Sequence, residues 1–239
     1  MLELRNLHGG YGRITILNGV SFTIPQGSIT TMIGPNGAGK STVFKAIFGL
    51  LNIHSGAIVF NGEDITGLKP AQLIARGISY VPQGRNIVPH LSVEHNLELG
   101  GITAPDQSVV KRRIDEVFTQ FPVLREKRKQ HAITLSGGQQ KQLEVARALL
   151  LDPKLILIDE PSIGLSPQLV QEVFRTLIRL RDGGVTILMV EQNARSALGI
   201  SDFGIVLELG QMRMQGKASE LLSDPRVGQL FLGGSMQKA

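Results

Sequence analysis

The sequence contains no cysteine and no tryptophan, and only two of its 239 residues are tyrosines. The absence of cysteine excludes both a disulfide framework and a thiolate metal site. The longest apolar runs, such as residues 155–158 and 185–190, have the length of strands, whereas about 20 residues are needed to cross a bilayer. The first ten residues, MLELRNLHGG, lack the apolar region of a signal peptide. We therefore expect a cytosolic chain that acts at a membrane only through a partner.

The charge balance is mildly basic, with 25 Lys and Arg residues against 20 Asp and Glu residues, a net charge of +5. This balance suits phosphate ligands, an anionic membrane surface or nucleic acid, and by itself it selects none of them. The length suits one α/β domain, or a core with a subdomain inserted into it. Composition therefore leaves the function open, and the motifs must decide.

The most informative stretch is residues 34–42, GPNGAGKST, which match the phosphate-loop pattern G-x-x-x-x-G-K-[ST]. Glycines let the backbone N–H groups approach phosphate oxygens, Lys40 can contact the β- and γ-phosphates, and the Ser41 hydroxyl can ligate Mg²⁺. The preceding residues 27–33 predict a buried strand, and the helical spacing of residues 41–50 predicts a helix whose N-terminus adds an anion site. This context disfavours a chance match in a glycine-rich chain. The predicted nucleotide contacts are Gly34, Pro35, Asn36, Gly37, Ala38, Gly39, Lys40, Ser41 and Thr42.

The segments around this loop predict a mixed sheet. Residues 2–7 and 20–24 alternate apolar and polar side chains, as antiparallel strands with one exposed face do. Residues 57–60 followed by Asn61-Gly62 predict a hairpin. Residues 71–76 predict a short helix, and residues 78–81 a strand that ends near Gln83, where open α/β sheets place ligand contacts. Tyr11, in a glycine-bracketed turn, is a candidate adenine-stacking platform, although ordinary packing is the more frequent role of such a tyrosine.

Residues 85–152 differ from the rest of the chain because they show helical periodicity and no convincing strand. They contain LSGGQ at residues 135–139, followed by a strong helical pattern. Ser136 is a plausible helix N-cap, and two glycines beside a helix N-terminus can form an anion-binding nest. A simple capped turn explains this stretch about as well. The basic run at residues 125–129 is interpreted as a solvated helix face.

Residues 155–158, LILI, form a continuous apolar run typical of a central parallel strand, and Asp159 and Glu160 follow it directly. Two carboxylates at this edge fit a division of labour: Asp159 would hold Mg²⁺, through water, and Glu160 would polarise the attacking water. An exposed turn is the alternative, which the upstream phosphate loop disfavours.

The order and spacing of GPNGAGKST, Gln83, LSGGQ and LILIDEP resemble those of the ATPase subunits of ATP-binding cassette (ABC) transporters, over essentially the whole chain. The resemblance implies an α/β phosphate-loop NTPase with a nucleotide-binding core (residues 1–84 and 153–239), an N-terminal antiparallel β subdomain, and an inserted helical subdomain (residues 85–152). It implies that Tyr11 stacks on adenine and that Gln83 senses the γ-phosphate and Mg²⁺. It also implies that residues 162–166 link two ATP sites. The predicted signature contacts to ATP on an opposing subunit are Ser136, Gly137, Gly138 and Gln139.

The resemblance also implies partners and a location. These are a second ATPase subunit, identical or paralogous, two transmembrane permease subunits and, indirectly, a periplasmic solute-binding protein, with no nucleic acid. The location is the cytoplasmic face of a bacterial inner membrane, and ATP with Mg²⁺ completes the site. The chain is expected to stop soon after residues 231–234 without a C-terminal regulatory domain.

Two stretches narrow the resemblance. Val-Glu-Gln-Asn at residues 190–193 places Gln192 where most relatives have a switch histidine. This stretch and residues 81–97 are similar to the corresponding stretches in importers of branched-chain and other hydrophobic amino acids. Urea importers of the same group are an alternative. Many members carry Glu where this chain has Gln83, which leaves the particular transporter open.

Two other classes of protein remain as rivals. A soluble ABC ATPase acting on ribosomes or DNA usually has two cassettes or long coiled-coil insertions, and this chain has one cassette and no sustained heptads. A small-molecule kinase would leave LSGGQ unexplained. The transported solute itself cannot be identified from this chain, because solute contacts belong to other subunits.

Overall fold

The computed structural model describes residues 1–104 and 106–227. The predicted chain end at residues 231–234 lies outside these residues. In chain order the strands are β1 (Leu2–Tyr11), β2 (Ile14–Ile24), β3 (Ile29–Ile33), β4 (Asn52–Phe60), β5 (Glu63–Asp64), β6 (Ile78–Val81), β7 (Leu155–Asp159), β8 (Thr186–Val190), β9 (Phe203–Glu208) and β10 (Gln211–Lys217). The helices are α1 (Lys40–Ile47), α2 (Pro70–Ala75), α3 (Val93–Gly100), α4 (Gln107–Gln120), α5 (Pro122–Glu126), α6 (Gly137–Ala148), α7 (Pro167–Asp182), α8 (Ala194–Leu198) and α9 (Ala218–Ser223).

The strands form two sheets. An antiparallel sheet has the order β2-β1-β4-β5, which confirms the antiparallel N-terminal strands predicted from alternation. The second sheet has the order β10-β9-β3-β8-β7-β6; its strands are parallel except β10, which pairs antiparallel with β9. The predicted interior position of residues 155–158 is confirmed, because β7 lies between β6 and β8.

The parallel strands are buried on both faces, which explains their continuous apolar sequence. In β7, Ile156 and Ile158 pack into one core cluster, and Leu155 and Leu157 pack into another. The first cluster contains the apolar faces of α3, α4, α6 and α7, and the second contains α1 and the antiparallel sheet. The central sheet is therefore held between a helical layer and a β layer.

Most predicted elements are confirmed, but several boundaries differ: β2 begins at Ile14 instead of residue 20, and β4 at Asn52 instead of residue 57. The predicted helix over residues 41–50 ends at Ile47, because Phe48 is the C-cap and Gly49 turns the chain with a φ of 69°. Tyr11 is the last residue of β1, paired with Ile14, so the turn follows Tyr11 instead of containing it. Backbone pairing thus continues through Gly9 and Gly10, with shifts of register on both sides of Gly9.

The segment from α3 to α6 contains no strand among the described residues 85–104 and 106–152, as predicted. Residues 125–129 are solvated as predicted except for the half-buried Lys127, but they do not form a helix face, because α5 ends at Glu126. The Lys127 Nζ donates to Gln139 Oε1 at 3.1 Å, and Arg128 pairs with Glu94 and lies over the Phe118 ring at 5.5 Å. These contacts join α5 and the residues after it to α3, α4 and α6. In the described part of the chain, no helix combines the length and apolar character needed to traverse a bilayer.

Candidate functional site

The phosphate loop connects β3 to α1, so it lies at the carboxyl edge of the parallel sheet. The geometry disfavours a side chain at all three of its glycines, and Gly37 has a φ of 81°. A Cβ at Gly34 would lie 2.2 Å from the carbonyl oxygen of Leu207, and Gly39, the N-cap of α1, has a φ of 100° that disfavours any side chain. The loop is also pinned from outside, because Gly210 donates its N–H to the Ala38 carbonyl at 2.9 Å. The backbone is thus preformed at the N-terminus of α1, where anions bind favourably.

Lys40 is the first residue of α1 and is 6% exposed. Its Nζ donates to the carbonyl oxygens of Gly34 at 2.7 Å and Pro35 at 3.1 Å. Burial lowers the pKa of Lys40, and the nearby carboxylates of Glu160 and Asp159 oppose that shift. The ammonium is therefore held inside the loop, close to both carboxylates, by bonds that an incoming phosphate can replace.

Asp159 ends β7 and is 2% exposed. The Ser41 hydroxyl donates to its Oδ1 at 3.3 Å, and the Tyr80 hydroxyl donates to its Oδ2 at 3.4 Å. Burial raises the pKa of Asp159, and these two hydrogen bonds partly offset the shift. Because these two hydroxyl bonds are long and use only part of its acceptor capacity, the carboxylate can accept further ligands.

Glu160 begins the loop after β7 with a φ of 47°, a left-handed conformation that is uncommon for a residue other than glycine. Its N–H donates to the Val190 carbonyl at 2.9 Å, which ties it to the end of β8. The Gln83 Nε2 donates to Glu160 Oε2 at 2.8 Å. The structure therefore brings together two residues that are far apart in sequence and were each predicted for the site.

Gln192 follows β8 at the same edge of the sheet. Its Nε2 lies 3.5 Å from Asn36 Oδ1 in the phosphate loop, and the side chain is exposed. An open cleft of about 530 Å³ runs between these loops. It is lined by Ile16, Asn36, Gly37, Ala38, Gly39, Lys40, Ser41, Thr42, Gln83, Glu160, Ile163 and Gln192.

The donors at this edge fit Mg²⁺. Among the described residues there is no cluster of three or more His, Cys, Asp and Glu side chains that could hold a metal by themselves. The Ser41 hydroxyl, the spare acceptor capacity of Asp159 and the amide of Gln83 offer hard oxygen ligands instead. Mg²⁺ is usually bound by one or two protein oxygens together with water and substrate phosphates. The donor set therefore suits an ion that arrives with a nucleotide.

Tyr11 lies outside the lining of the cleft and is 47% exposed. The Lys45 Nζ is 3.2 Å from the Tyr11 hydroxyl and 5.6 Å from the centre of its ring. The ring is thus available at the surface near α1, with a cation beside it.

The LSGGQ stretch forms the N-terminus of α6, as predicted. Ser136 is the N-cap, its Oγ accepting from the Gln139 N–H at 3.4 Å while Gln139 Oε1 accepts from the Ser136 N–H at 3.2 Å. A Cβ on Gly138 would lie 2.8 Å from Leu169, so this position lets α6 approach α7 closely. Residues 136–139 are not among those that line the phosphate-loop cleft. Within one chain the two motifs are therefore separate surfaces.

Two groups near the site were not singled out by the sequence. Lys141 and Glu144, both buried, pair with each other and bind the backbone just after Gln83: Lys141 donates to the Gly84 carbonyl and Glu144 accepts from the Asn86 N–H. Glu191, 1% exposed, accepts hydrogen bonds from the loop after Glu160. A carboxylate directly after the apolar strand β8 was the signal available for Glu191, the same signal that marked Asp159.

A preformed glycine loop at a helix N-terminus, with a lysine and a carboxylate at the adjacent strand ends, defines a phosphate-loop nucleoside triphosphatase. The model of the ABC transporter family matches residues 17–163 of the chain. The chain is 41% identical to the high-affinity branched-chain amino acid transport ATP-binding protein BraG of Pseudomonas aeruginosa, over 98% of this chain and all of the relative. It is 42% identical to the probable branched-chain amino acid transport ATP-binding protein LivF of Archaeoglobus fulgidus, over 98% and 99%. The protein belongs to the ABC transporter family, as an ATP-binding and ATP-hydrolysing subunit.

Solved structures of ATP-binding cassettes have the same fold as this chain. The fold matches a nucleotide-free ATP-binding cassette from an ABC transporter with a TM-score of 0.88 and 30% identity, covering 98% of this chain and 99% of the other. An ATP-binding cassette in its ADP conformation gives a TM-score of 0.87 at 31% identity, over the same shares of the two chains. A dimeric cassette in a post-hydrolysis state, bound to ADP and phosphate, gives 0.77 at 26% identity, covering 91% and 99%. The predicted fold class is thereby confirmed.

Proposed function

We propose that this chain is the ATPase subunit of an importer for branched-chain or other hydrophobic amino acids. The observation that carries the ATPase role is the convergence of Lys40, the Gln83–Glu160 pair and Gln192 on one cleft. The names of the relatives in P. aeruginosa and A. fulgidus, which specify branched-chain amino acid transport, support the solute class. A urea importer of the same group has no comparable support.

In the proposed mechanism the phosphate loop binds the triphosphate through the backbone N–H groups of residues 36–42 and the Lys40 ammonium. Lys40 would exchange its bonds to Gly34 and Pro35 for the β- and γ-phosphate oxygens. Positioning and electrostatic stabilisation are the main sources of catalysis in phosphoryl transfer. The hydrogen-bonded loop supplies both without a large rearrangement. Tyr11 would stack on the adenine.

Glu160 is proposed to accept the proton of the attacking water. It is held by Gln83 on one side and by the end of β8 on the other, so its carboxylate is oriented before substrate arrives. Gln192 would donate its amide N–H to the γ-phosphate. Ser41, Asp159 and Gln83 would hold Mg²⁺, which when bound neutralises phosphate charge. This division leaves one general base in the cleft.

The separation of residues 136–139 from the phosphate-loop cleft supports a two-subunit arrangement. In this proposal Ser136, Gly137, Gly138 and Gln139 contact ATP bound to the opposing subunit, and residues 162–166 link the two sites. The helical subdomain, residues 85–152, would move relative to the core formed by residues 1–84 and 153–239. The chain would work at the cytoplasmic face of the inner membrane with two permease subunits and, indirectly, a periplasmic solute-binding protein.

The test is co-expression of the tagged chain with permease and solute-binding genes that neighbour its own. We expect a membrane complex that contains two permease subunits, and whose ATPase activity in proteoliposomes rises when the binding protein is loaded with leucine, isoleucine or valine. Urea and a charged amino acid are the matched controls. Stimulation by urea alone would favour the urea importer, and co-purification with ribosomes or DNA without permeases would contradict transport. Formation of a phosphorylated acceptor in place of free phosphate would contradict the ATPase reaction.

A further inference from the structure

Glu191 is a buried carboxylate that the mechanism above does not use. It directly follows β8 and is 1% exposed. Its Oε1 accepts from the Ser162 N–H at 2.8 Å, and its Oε2 accepts from the Ser162 hydroxyl at 2.8 Å and from the Gln192 N–H at 3.1 Å. One side chain therefore binds two loops.

The two loops are those that carry Glu160 and Gln192. Ser162 lies two residues after Glu160, whose left-handed backbone needs support from its surroundings to persist. Part of that support is the bond from the Glu160 N–H to Val190 and the bond from the Ile163 N–H to the Glu160 carbonyl, at 3.3 Å. Glu191 adds the second attachment of this loop to the end of β8. The same carboxylate fixes the backbone of Gln192, its neighbour in sequence.

The chemistry of the contact requires an acceptor-only group. Three donors, two backbone N–H groups and one hydroxyl, converge on the two oxygens. An ionised carboxylate can accept all three, whereas an amide replaces one oxygen by a donor and leaves at least one N–H facing another N–H. Burial raises the pKa of Glu191 and the charge of Glu160 adds to the rise, while the three hydrogen bonds oppose it. Keeping a charge there is costly, which favours a functional reason for the residue.

We propose that Glu191 is a positioning residue that holds the Glu160 loop and the Gln192 loop in one catalytic geometry. The inference rests on the proposed roles of Glu160 and Gln192 in hydrolysis. Glu191 itself does not line the phosphate-loop cleft, so it acts through Ser162 and Gln192 and not by contact with ATP.

The test compares steady-state kinetics of the full-length chain and its Glu191→Gln variant, which conserves shape. We expect kcat to fall about tenfold, equivalent to about 1.4 kcal/mol of barrier, with KM for ATP and equilibrium ATP binding within about twofold. Asp202→Asn is the matched control: this carboxylate also accepts a backbone N–H, from Ile29 at 2.8 Å, and it lies at the opposite end of β3. The control should keep kcat even where it lowers the melting temperature. A Glu191→Gln variant that melts earlier and keeps the parental kcat would show a purely structural role and overturn the inference.

Ser162→Ala provides a second test that leaves the buried carboxylate in place. Removing one of the three donors should lower kcat by about two- to fivefold with KM unchanged. In the double variant the loss should be smaller than the product of the two single losses, because both changes act on the same contact. A loss equal to that product, or a parental kcat in both single variants, would overturn the proposal.

Glu160→Gln, assayed in parallel, distinguishes a failure of the positioning role of Glu191 from a failure of the proposed role of Glu160 as the base. If Glu160→Gln loses activity while the Glu191 and Ser162 variants keep it, only the positioning role fails. If Glu160→Gln turns over ATP at the parental rate, the proposed base assignment fails first, and the positioning role falls with it.

Discussion

At the scale of single residues, the site combines groups that are stabilised by their surroundings with groups that are not. Glu160 is held by its backbone N–H, which donates to Val190, and by Gln83, which donates to its carboxylate, whereas Asp159 is buried with two long hydroxyl contacts and a raised pKa. Functional carboxylates of this kind reduce the stability of the nucleotide-free protein, because burial penalises their charge. This contrast leads to a prediction about stability and one about turnover.

Asp159→Asn should stabilise the protein without nucleotide at pH 7 by about 1 kcal/mol. The amide conserves the shape, can accept from Ser41 and can donate to the Tyr80 oxygen, and it removes a buried charge. Because the folded-state pKa of Asp159 is raised, the cost of its charge is fully present above that pKa. The advantage of the variant should therefore shrink as the pH falls through the raised pKa and vanish below about 4, the ordinary carboxyl pKa. Chemical denaturation of both proteins from pH 4 to 8 measures this, with loss of ATPase activity in the same variant. Destabilisation at pH 7 would contradict it.

Gln192 should contribute through a hydrogen bond and not through proton transfer, since its amide does not titrate. Gln192→Ala should lower kcat about 10- to 100-fold, because one charge-assisted donor at a transition state contributes about 1.5–3 kcal/mol. Gln192→His conserves a donor and should stay within about tenfold of the parent. Steady-state ATPase assays on the assembled transporter decide the matter. Undiminished turnover in Gln192→Ala would mean that this position only terminates β8.

At the scale of elements, α6 joins the two halves of the proposed mechanism. Its N-terminus carries residues 136–139, and one turn further on Lys141 and Glu144 bind the backbone of Gly84 and Asn86, next to Gln83. The orientation of α6 is therefore coupled to the backbone that directly follows Gln83, the residue that donates to Glu160. In the proposed dimer, this buried ion pair would link residues 136–139, which face ATP on the opposing subunit, to the backbone beside Gln83 at this chain's own nucleotide.

Ser136→Arg should test the exposed end of this helix. Because Ser136 is absent from the lining of its own chain's cleft, ATP binding to the monomer should stay within about twofold of the parent. ATPase activity should fall at least about 100-fold, because a bulky cation at the N-cap would block closure onto the opposing nucleotide and remove the cap. Calorimetric ATP titration and an ATPase assay measure the two effects. The control is Ser136→Thr, which conserves the capping hydroxyl. Loss of nucleotide binding by the monomeric arginine variant would speak against a role across subunits.

At the scale of the whole molecule, two chains are needed to complete the proposed site. Glu160→Gln should bind ATP normally and accumulate a dimer of twice 25.9 kDa, because the closed state forms and is not hydrolysed. Lys40→Ala should lose affinity for ATP at least about tenfold, since the ammonium no longer meets the phosphates, and should stay monomeric at the same nucleotide concentration. Light scattering with and without Mg-ATP distinguishes the two. A monomeric Glu160→Gln variant at saturating ATP, without partners, would imply that closure requires the membrane subunits.

The sequence alone determined the class of the fold and most of the residues of the candidate ATP site. Phosphate-binding glycines, a capped helix at Ser136 and carboxylates after apolar strands are local consequences of backbone geometry, so they leave a readable spacing. The strand over residues 78–81 and the interior position of β7 followed from apolar runs, which parallel strands buried on both faces require. The resemblance carried by these motifs supplied the family, which the comparisons confirmed.

Only the tertiary structure decided which of these residues meet. Gln83 and Glu160 are 77 positions apart, and Glu191 and Ser162 are 29 apart, so no periodicity or spacing could predict their hydrogen bonds. The contact of Lys127 could not be predicted either. The charge pattern assigned this side chain to solvent, whereas the packing of α5 against α6 brings it to Gln139. Long-range contacts of this kind depend on the order of strands in the sheet and on the packing of the helices. Local sequence specifies the individual elements, whereas the packing between them sets the distance between two side chains.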